Sequence, residues 1–421
     1  MMRTTYRLLA LLVASLLGST TASAGPFTEG YAAARGTDSL FLSAAPEKEA
    51  AGWAAMTARA AYLPSAQLQQ QQQYSTSSLT SRTFSVSQPV FSIDKAATVM
   101  ESTPRLRSAE SVYVQRENDL ATRYFKALAD WLKASEGLRL TSAKKTAYTQ
   151  QYEAAKRALL AGEGTVSDRQ DALLRLEQAQ SEEVLLEAQQ QAAANEVQMI
   201  SGVAPNDTWS TLTVGELPKL PEQEDCLREA LAHNPQLLQA QSDKEMADLG
   251  VWKARGALAP QVSVVVAHTT VSNFTTEYTG IQVSMPLGVA PVGQALSASA
   301  NADRQRWLTL DAENKVKLDV RKLYAQFKAG VAEVSMRKTA VETASLGVEA
   351  NMKSYQGGVR TKTDVLNAIQ ALYQAKQDLV TAQIALAESY LNLELTQGTR
   401  PEAILQSLDG YLFAKIDKTS I

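Results

Sequence analysis

The chain has 421 residues, with 41 Lys or Arg against 44 Asp or Glu, two His, one Cys and only 6% aromatic side chains. That length exceeds one ordinary domain, the aromatic content is low for an enzyme core, and a near-neutral charge lacks the clustered basic excess that a nucleic-acid partner requires. Cys226 alone excludes an internal disulfide or a cysteine-built zinc site, and His233 and His268 are too few for a histidine-built hydrolytic centre, so no metal or cofactor is expected.

Residues 1–24 read as an export signal: Arg3 and Arg7, an apolar run from Leu8 to Leu17, then the small residues Ala22-Ser23-Ala24, where a signal peptidase cuts. Cleavage there makes Gly25 the first mature residue, and a glycine offers no acceptor for a lipid anchor. No later segment approaches the 18 or so consecutive apolar residues of a membrane helix. The choice is then between a soluble protein, a peripheral one and a membrane-spanning β structure.

Proline divides the mature chain. None of the 13 prolines falls between Arg105 and Ala204 or between Val292 and Arg400, and both stretches are rich in Ala, Leu, Gln, Glu and Lys. Propensity and the absence of breakers predict helices of 40 to 60 residues there, roughly 60 to 90 Å long. Ahead of each stretch lies an extended passage. One covers 65–89 around Ser75-Thr76-Ser77-Ser78, and the other covers 261–286 around Ser272-Asn273. Phe84 and Val86 alternate with Ser85 and Ser87, as do Ile281, Val283 and Met285 with Gln282 and Ser284, the period of strands with unlike faces. Each passage therefore predicts a two-stranded hairpin. Gln67 and Gln69 to Gln73 occupy both faces of the first strand, which gives that strand no convincing lipid-facing side.

The same order of parts occurs twice. Pro64, Gly162, Asp168, Ala172, Leu176 and Gly202 have counterparts in Pro260, Gly358, Asp364, Ala368, Leu372 and Gly398, all offset by 196 positions. This predicts a duplicated unit of helix, hairpin, helix, tip and helix. The first copy spans 25–203, with its tip near 162–168, and the second spans 222–399, with its tip near 357–364. Residues 204–221 link them, and 400–421 form a C-terminal tail. In the last long helix, Val365, Leu372, Leu379, Leu386 and Leu393 recur every seven residues, interleaved with Ala368, Ala375, Ala382, Ser389 and Thr396. A row of large residues beside a row of small ones predicts a narrow coiled-coil seam. The first copy carries Arg169, Leu176, Glu183, Gln190 and Val197 in the large row, so the two halves cannot pack identically.

The run Tyr355-Gln356-Gly357-Gly358-Val359-Arg360-Thr361-Lys362-Thr363-Asp364-Val365-Leu366, followed by Ala371-Leu372-Tyr373-Gln374-Ala375-Lys376, resembles the TolC family of outer-membrane secretion and efflux channels. A weaker counterpart is Ala161-Gly162-Glu163-Gly164-Thr165-Val166-Ser167-Asp168, and the strands are bracketed by Leu63-Pro64, Leu258-Ala259-Pro260, Ser87-Gln88-Pro89 and Ser284-Met285-Pro286. The resemblance implies a mainly α fold with membrane β. Long antiparallel coiled-coil helices would form a periplasmic α-barrel, joined to a shared 12-stranded outer-membrane β-barrel in a homotrimer. It implies a gate at the constriction made by Asp168, Tyr355 and Arg360, and a pore ring of carboxylates at Asp364. The second ring of some relatives falls here on Asn367, which weakens the expected cation preference. The glycines Gly162 and Gly358 would shape the tips where an adaptor docks.

The implied partners are two further copies of the chain, outer-membrane lipid, a periplasmic membrane fusion adaptor, and an inner-membrane ABC transporter or a proton-driven antiporter. The absent anchor cysteine and the short segment before Pro64 resemble the type I secretion branch more than the lipid-anchored drug-efflux branch. The leading expectation is thus a passive conduit that exports an unfolded polypeptide. The alternatives are a multidrug efflux duct and a non-pore periplasmic coiled-coil scaffold. The sequence offers no nucleophile and base pair from which an enzyme could be argued.

Overall fold

The computed structural model describes residues 25–74, 79–206, 209, 212–271, 274–286 and 288–413. The export signal, the centres of both hairpin turns and the last residues of the tail lie outside the described residues. The protein is mostly helical with one small sheet.

The first half comprises α1 (Pro26–Thr37), α2 (Ser39–Leu42), α3 (Ala44–Arg59), β1 (Ser65–Gln73), β2 (Leu79–Phe91), α4 (Ile93–Met100), α5 (Ser102–Leu160) and α6 (Val166–Ser201). The second comprises α7 (Gln223–His233), α8 (Pro235–Gly256), β3 (Gln261–Val271), β4 (Phe274–Ser284), α9 (Val289–Gln356) and α10 (Lys362–Thr396), and the chain closes with α11 (Pro401–Leu412). Asn234 starts α8, its side chain accepting from Gln236 N and Leu237 N, both at 3.1 Å.

Helix α9 runs for 68 residues, longer than the proline-free stretch predicts. It includes Pro291, which sits in the first turn, where the missing N–H would have had no intrahelical partner. At 1.5 Å per residue it is about 100 Å long. It packs against α10, and α5 packs against α6, each pair joined by a short tip; α10 also lies along α5 and ties the two hairpins together.

That double contact makes the buried face of α10 wider than a coiled-coil seam. Val365, Ala382, Leu386 and Leu393 of the heptad rows are buried, but so are Leu366, Ile369, Ile384, Ala387, Tyr390 and Leu391. In α6 two of the three polar members of the large row, Glu183 and Gln190, are half-buried and partnered by α5. Glu183 pairs with Lys145 at 2.5 Å, and Gln190 donates to Ser135 Oγ at 2.9 Å. The central core gathers α1, α5, α6, α10 and α11 around Phe27, Leu120, Tyr124, Phe125, Ile384, Leu391 and Leu408. The 204–221 linker is held to this core by Leu212 N, which donates to the buried Glu136 carboxylate at 3.2 Å, and by Thr213 N, which donates to Leu412 O at 3.0 Å.

The four strands form one antiparallel sheet in the order β1-β2-β3-β4, leaving β1 and β4 as open edges. Residues paired across antiparallel strands share a face. One face therefore carries the rows Ile281-Val264-Gln88, Thr279-Val266-Val86-Ala66 and Glu277-His268-Phe84-Leu68, with Val283 beside Val262. Beyond them the same face turns polar at Thr275-Thr270-Arg82-Gln70. The opposite face carries Gln67, Gln69, Gln71, Ser81, Thr83, Ser85, Ser87, Ser263, Thr269, Thr276 and Gln282, with Val265, Ala267, Val271, Phe274 and Tyr278 among them. The glutamine tract thus divides three ways. Its odd-numbered members lie on the polar face, Ala66 and Leu68 join the apolar band, and Gln70 and Gln72 lie beyond the band.

Candidate functional site

The two helical hairpins end in tips built alike. After α5, Gly162 takes a left-handed backbone with φ +76°, and Glu163 N reaches back to Ala158 O at 2.9 Å. After α9, Gly358 has φ +75° and Val359 N reaches Ser354 O at 2.9 Å. A side chain is strained in that conformation, so glycine is required to close each helix in this way.

The next helix begins on a threonine. Thr165 caps α6: its hydroxyl accepts from Asp168 N at 3.0 Å, and Asp168 Oδ2 accepts from Thr165 N at 3.2 Å. Thr361 caps α10 in the same way, with Asp364 N at 3.2 Å and the return bond from Thr361 N at 2.9 Å. These are capping boxes with aspartate as the reciprocal acceptor. Thr165 and Thr361 were not among the expected site residues; they keep the same 196-position offset, and the pattern Thr-x-x-Asp before each helical run was the signal for them.

Asp168 and Asp364 therefore each serve their own helix start. Within one chain Asp168 meets neither Tyr355 nor Arg360: its hydrogen bonds are to Thr165. Arg360 instead lies 4.0 Å from Asp364, the two side chains being 58% and 35% exposed. Hydrogen bonds from the Thr361 backbone and hydroxyl, with a smaller contribution from Arg360, hold Asp364 below the usual carboxylate range. Tyr355 packs on the tip cluster of Tyr148, Ala172, Leu176, Val365, Leu366 and Ile369. Asn367 is exposed and accepts from Arg175 of α6 at 3.0 Å.

What joins the two hairpins at the tip is a group of side chains that, Asn367 apart, sequence patterning does not single out as site residues. Lys362 is only 4% exposed; it donates to Gln151 of α5, and its ammonium lies 4.9 Å from the centre of the Tyr355 ring. Burial pushes its pKa below the ordinary lysine value, an effect the Asp168 carboxylate opposes. The buried Tyr148 phenol donates to Gln370 Oε1 at 3.1 Å, and desolvation pushes its pKa up to about 12. Thr363 donates to Asp171 at 3.2 Å. Four polar links, Lys362–Gln151, Tyr148–Gln370, Arg175–Asn367 and Thr363–Asp171, thus cross from α10 to α5 or α6 within about four turns of the tips. Such links are made in one relative position of the hairpins and lost when they separate. Among the described residues no group of His, Cys, Asp and Glu could hold a metal ion. Cys226 is fully buried and its thiol is pushed up by that burial, while His233 and His268 face Glu229 and Glu277, each at 3.1 Å.

Comparison with known proteins places this architecture. The family model described as outer membrane efflux protein matches residues 31–203 and 226–399, which takes in both halves and both tips. The alkaline protease secretion protein AprF of Pseudomonas aeruginosa is 27% identical over 77% of this chain and 70% of its own length. The outer membrane protein TolC of Vibrio cholerae is 25% identical over 94% of this chain and 96% of its own. A crystal structure of CusC, from work on the conformational changes that accompany its folding and transmembrane channel formation, superposes with a TM-score of 0.77 at 14% identity, over 89% of this chain and 92% of that one. With long helical hairpins, a four-stranded sheet and a matching model across both repeats, the chain belongs to the outer membrane efflux protein family of TolC-type transport channels, outer-membrane proteins that extend into the periplasm.

Proposed function

We propose that three copies of this chain close into one channel-tunnel that serves as the outer-membrane exit of a type I secretion system, passing an unfolded polypeptide. The observation that carries the reading is the sheet. One face carries a continuous apolar band while the other is mainly polar, and the outer edges of β1 and β4 have no partner strand. In lipid, open edges leave backbone groups without partners, so four strands cannot stand alone there, whereas three sheets joined edge to edge make an even, closed barrel of twelve. The apolar band then faces lipid, the glutamine and serine face lines the passage, and the row through Arg82, Gln70 and Thr270 stands outside hydrocarbon.

At the other end the tips form the gate. The exposed Arg360 and the half-buried Asp168, unpaired with each other within a chain, are free to meet across neighbouring copies beside Tyr355. The four links between hairpins hold each chain's own pair of coils closed. Asp364 from three copies forms a carboxylate ring that favours cations, and Asn367 replaces a second ring. Gly162 and Gly358 shape the ends on which a membrane fusion adaptor docks, and an inner-membrane ABC transporter supplies the driving force. Similarity to a protein named for alkaline protease secretion supports polypeptide cargo. Efflux of small molecules is the second reading, supported by the description of the family itself.

A photo-crosslinker at the exposed Val359, activated in cells and followed by mass spectrometry of captured inner-membrane proteins, tests the assignment. An ABC exporter and its adaptor are expected. Capture of a proton-driven antiporter selects efflux instead, and recovery of the protein from membranes without detergent refutes the channel.

A further inference from the structure

One buried charge in the central core lacks a counter-ion. Asp409 of α11 is 7% exposed, and its carboxylate accepts from Phe27 N at 2.8 Å, Thr28 N at 2.9 Å and Thr28 Oγ at 2.6 Å. All three donors are neutral. Among the described residues no Lys, Arg or His forms an ion pair with it; burial pushes its pKa up, its three hydrogen bonds oppose that, and the charged side chain that acts on it, Glu29, is a second carboxylate that adds to the rise. The third titratable group in this place, the buried Tyr124 phenol of α5, is committed to Pro26 O at 2.9 Å. Buried carboxylates are ordinarily paired, because an uncompensated charge in a core is costly.

The missing cation has a source in the chain itself. A Cβ built on Gly25 would fall 2.2 Å from Asp409 Cγ and 2.4 Å from Oδ1, so no side chain fits there. With standard bond lengths, the Gly25 Cα is then at most about 3.9 Å from Oδ1, and its nitrogen at most about 5.4 Å. Gly25 is also the residue that follows Ala22-Ser23-Ala24, the small-residue processing motif. Hydrolysis of the Ala24–Gly25 amide adds water across that bond: Ala24 departs with a carboxylate, and Gly25 keeps the nitrogen, which takes a proton.

We propose that Asp409 is the binding site for the processed amino terminus of this chain, pairing with the Gly25 ammonium that signal cleavage creates. Before cleavage the same nitrogen is a neutral amide and the carboxylate has no counter-charge. After it, α1 is tied by an ion pair to α11, so processing completes the core where the first and last helices meet. The inference rests on cleavage after Ala24 and is independent of what the channel carries.

The pH effect has a definite sign. An amine whose folded pKa is raised by Asp409 and Glu29 adds stability below its unfolded value of about 7.7–8.0, and that stability is lost as pH rises through the folded pKa. The test uses the purified full-length mature protein, its terminus fixed by intact mass, with competitive acetic anhydride labelling of the Gly25 amine from pH 6 to 10. A second protein carries one threonine inserted between Ala24 and Gly25, which moves the amine about 3.8 Å away while keeping Asp409 and its three bonds. A third carries Asp409→Asn.

At pH 7 the Gly25 amine of the unaltered protein should label about tenfold more slowly than the terminus of the threonine-extended protein, which corresponds to one pKa unit. Asp409→Asn should abolish the difference, and the urea midpoint should fall at alkaline pH in the unaltered protein alone. Equal labelling in the unaltered and extended proteins, slow labelling that survives Asp409→Asn, or a mature mass that starts elsewhere than Gly25 would each overturn the proposal.

Discussion

The sheet register makes a demand on two adjacent residues. Val266 lies on the apolar face between Val86 and Thr279, near the middle of the band and 48% exposed, while Ala267 lies on the opposite face between Ser85 and Tyr278. If the band faces lipid, Val266→Arg places a guanidinium in hydrocarbon at a cost of about 2–4 kcal/mol per chain. Ala267→Arg places the same group in a watery lumen, at about 1 kcal/mol or less. The gap is then about 1–4 kcal/mol; at about 2 kcal/mol it is roughly thirtyfold in the folding equilibrium of each chain, and it enters three times in a trimer. Urea titration of folding into lipid vesicles, read by the heat-modifiable gel band, measures it. Equal loss in the two variants, or a greater loss for Ala267→Arg, would refute the assignment of faces and with it the barrel built on them.

The tips yield three further expectations. Replacing Asp168 and Arg360 together by alanine should raise closed-state conductance in planar bilayers by severalfold; because Asp168 also caps α6, circular dichroism must show the helices intact, and unchanged conductance would remove the pair from the gate. Asp364→Asn keeps an acceptor for Thr361 and removes the charge, so cation preference should drop with little loss of stability, and an unmoved reversal potential under a salt gradient would dispose of the ring. Arg175→Ala breaks the bond to Asn367 at a cost under about 1 kcal/mol, since the pair is exposed. Single-channel recording should show longer openings, and identical dwell times would mean that this link does not hold the closed position.

Local chemistry explains why some features are legible along the chain and others are not. The tips are legible because a capping aspartate and a left-handed glycine act within a few residues of each other, so Gly162 and Gly358, and Asp168 and Asp364, keep their spacing visible at an offset of 196. The broken helix at Asn234 and the strands ahead of each long helix are legible for the same reason. The width of the buried face of α10 is not, because the heptad in Val365, Leu372 and Leu379 records one neighbour, whereas Ile369, Ile384 and Leu391 are buried by a hairpin from the other half of the chain.

The amino-acid sequence by itself determined the duplicated order of elements, the positions of the tips and the alternation of the strands, since each is set by interactions between residues close along the chain. Only the tertiary structure decided which polar side chains meet. Lys362 and Gln151 stand 211 positions apart, and Arg175 and Asn367 stand 192 apart. It likewise decided that Leu68 joins an apolar band while Gln70 falls beyond it. A side chain's surroundings depend on which distant strand or helix is packed beside it, and no local pattern encodes that choice.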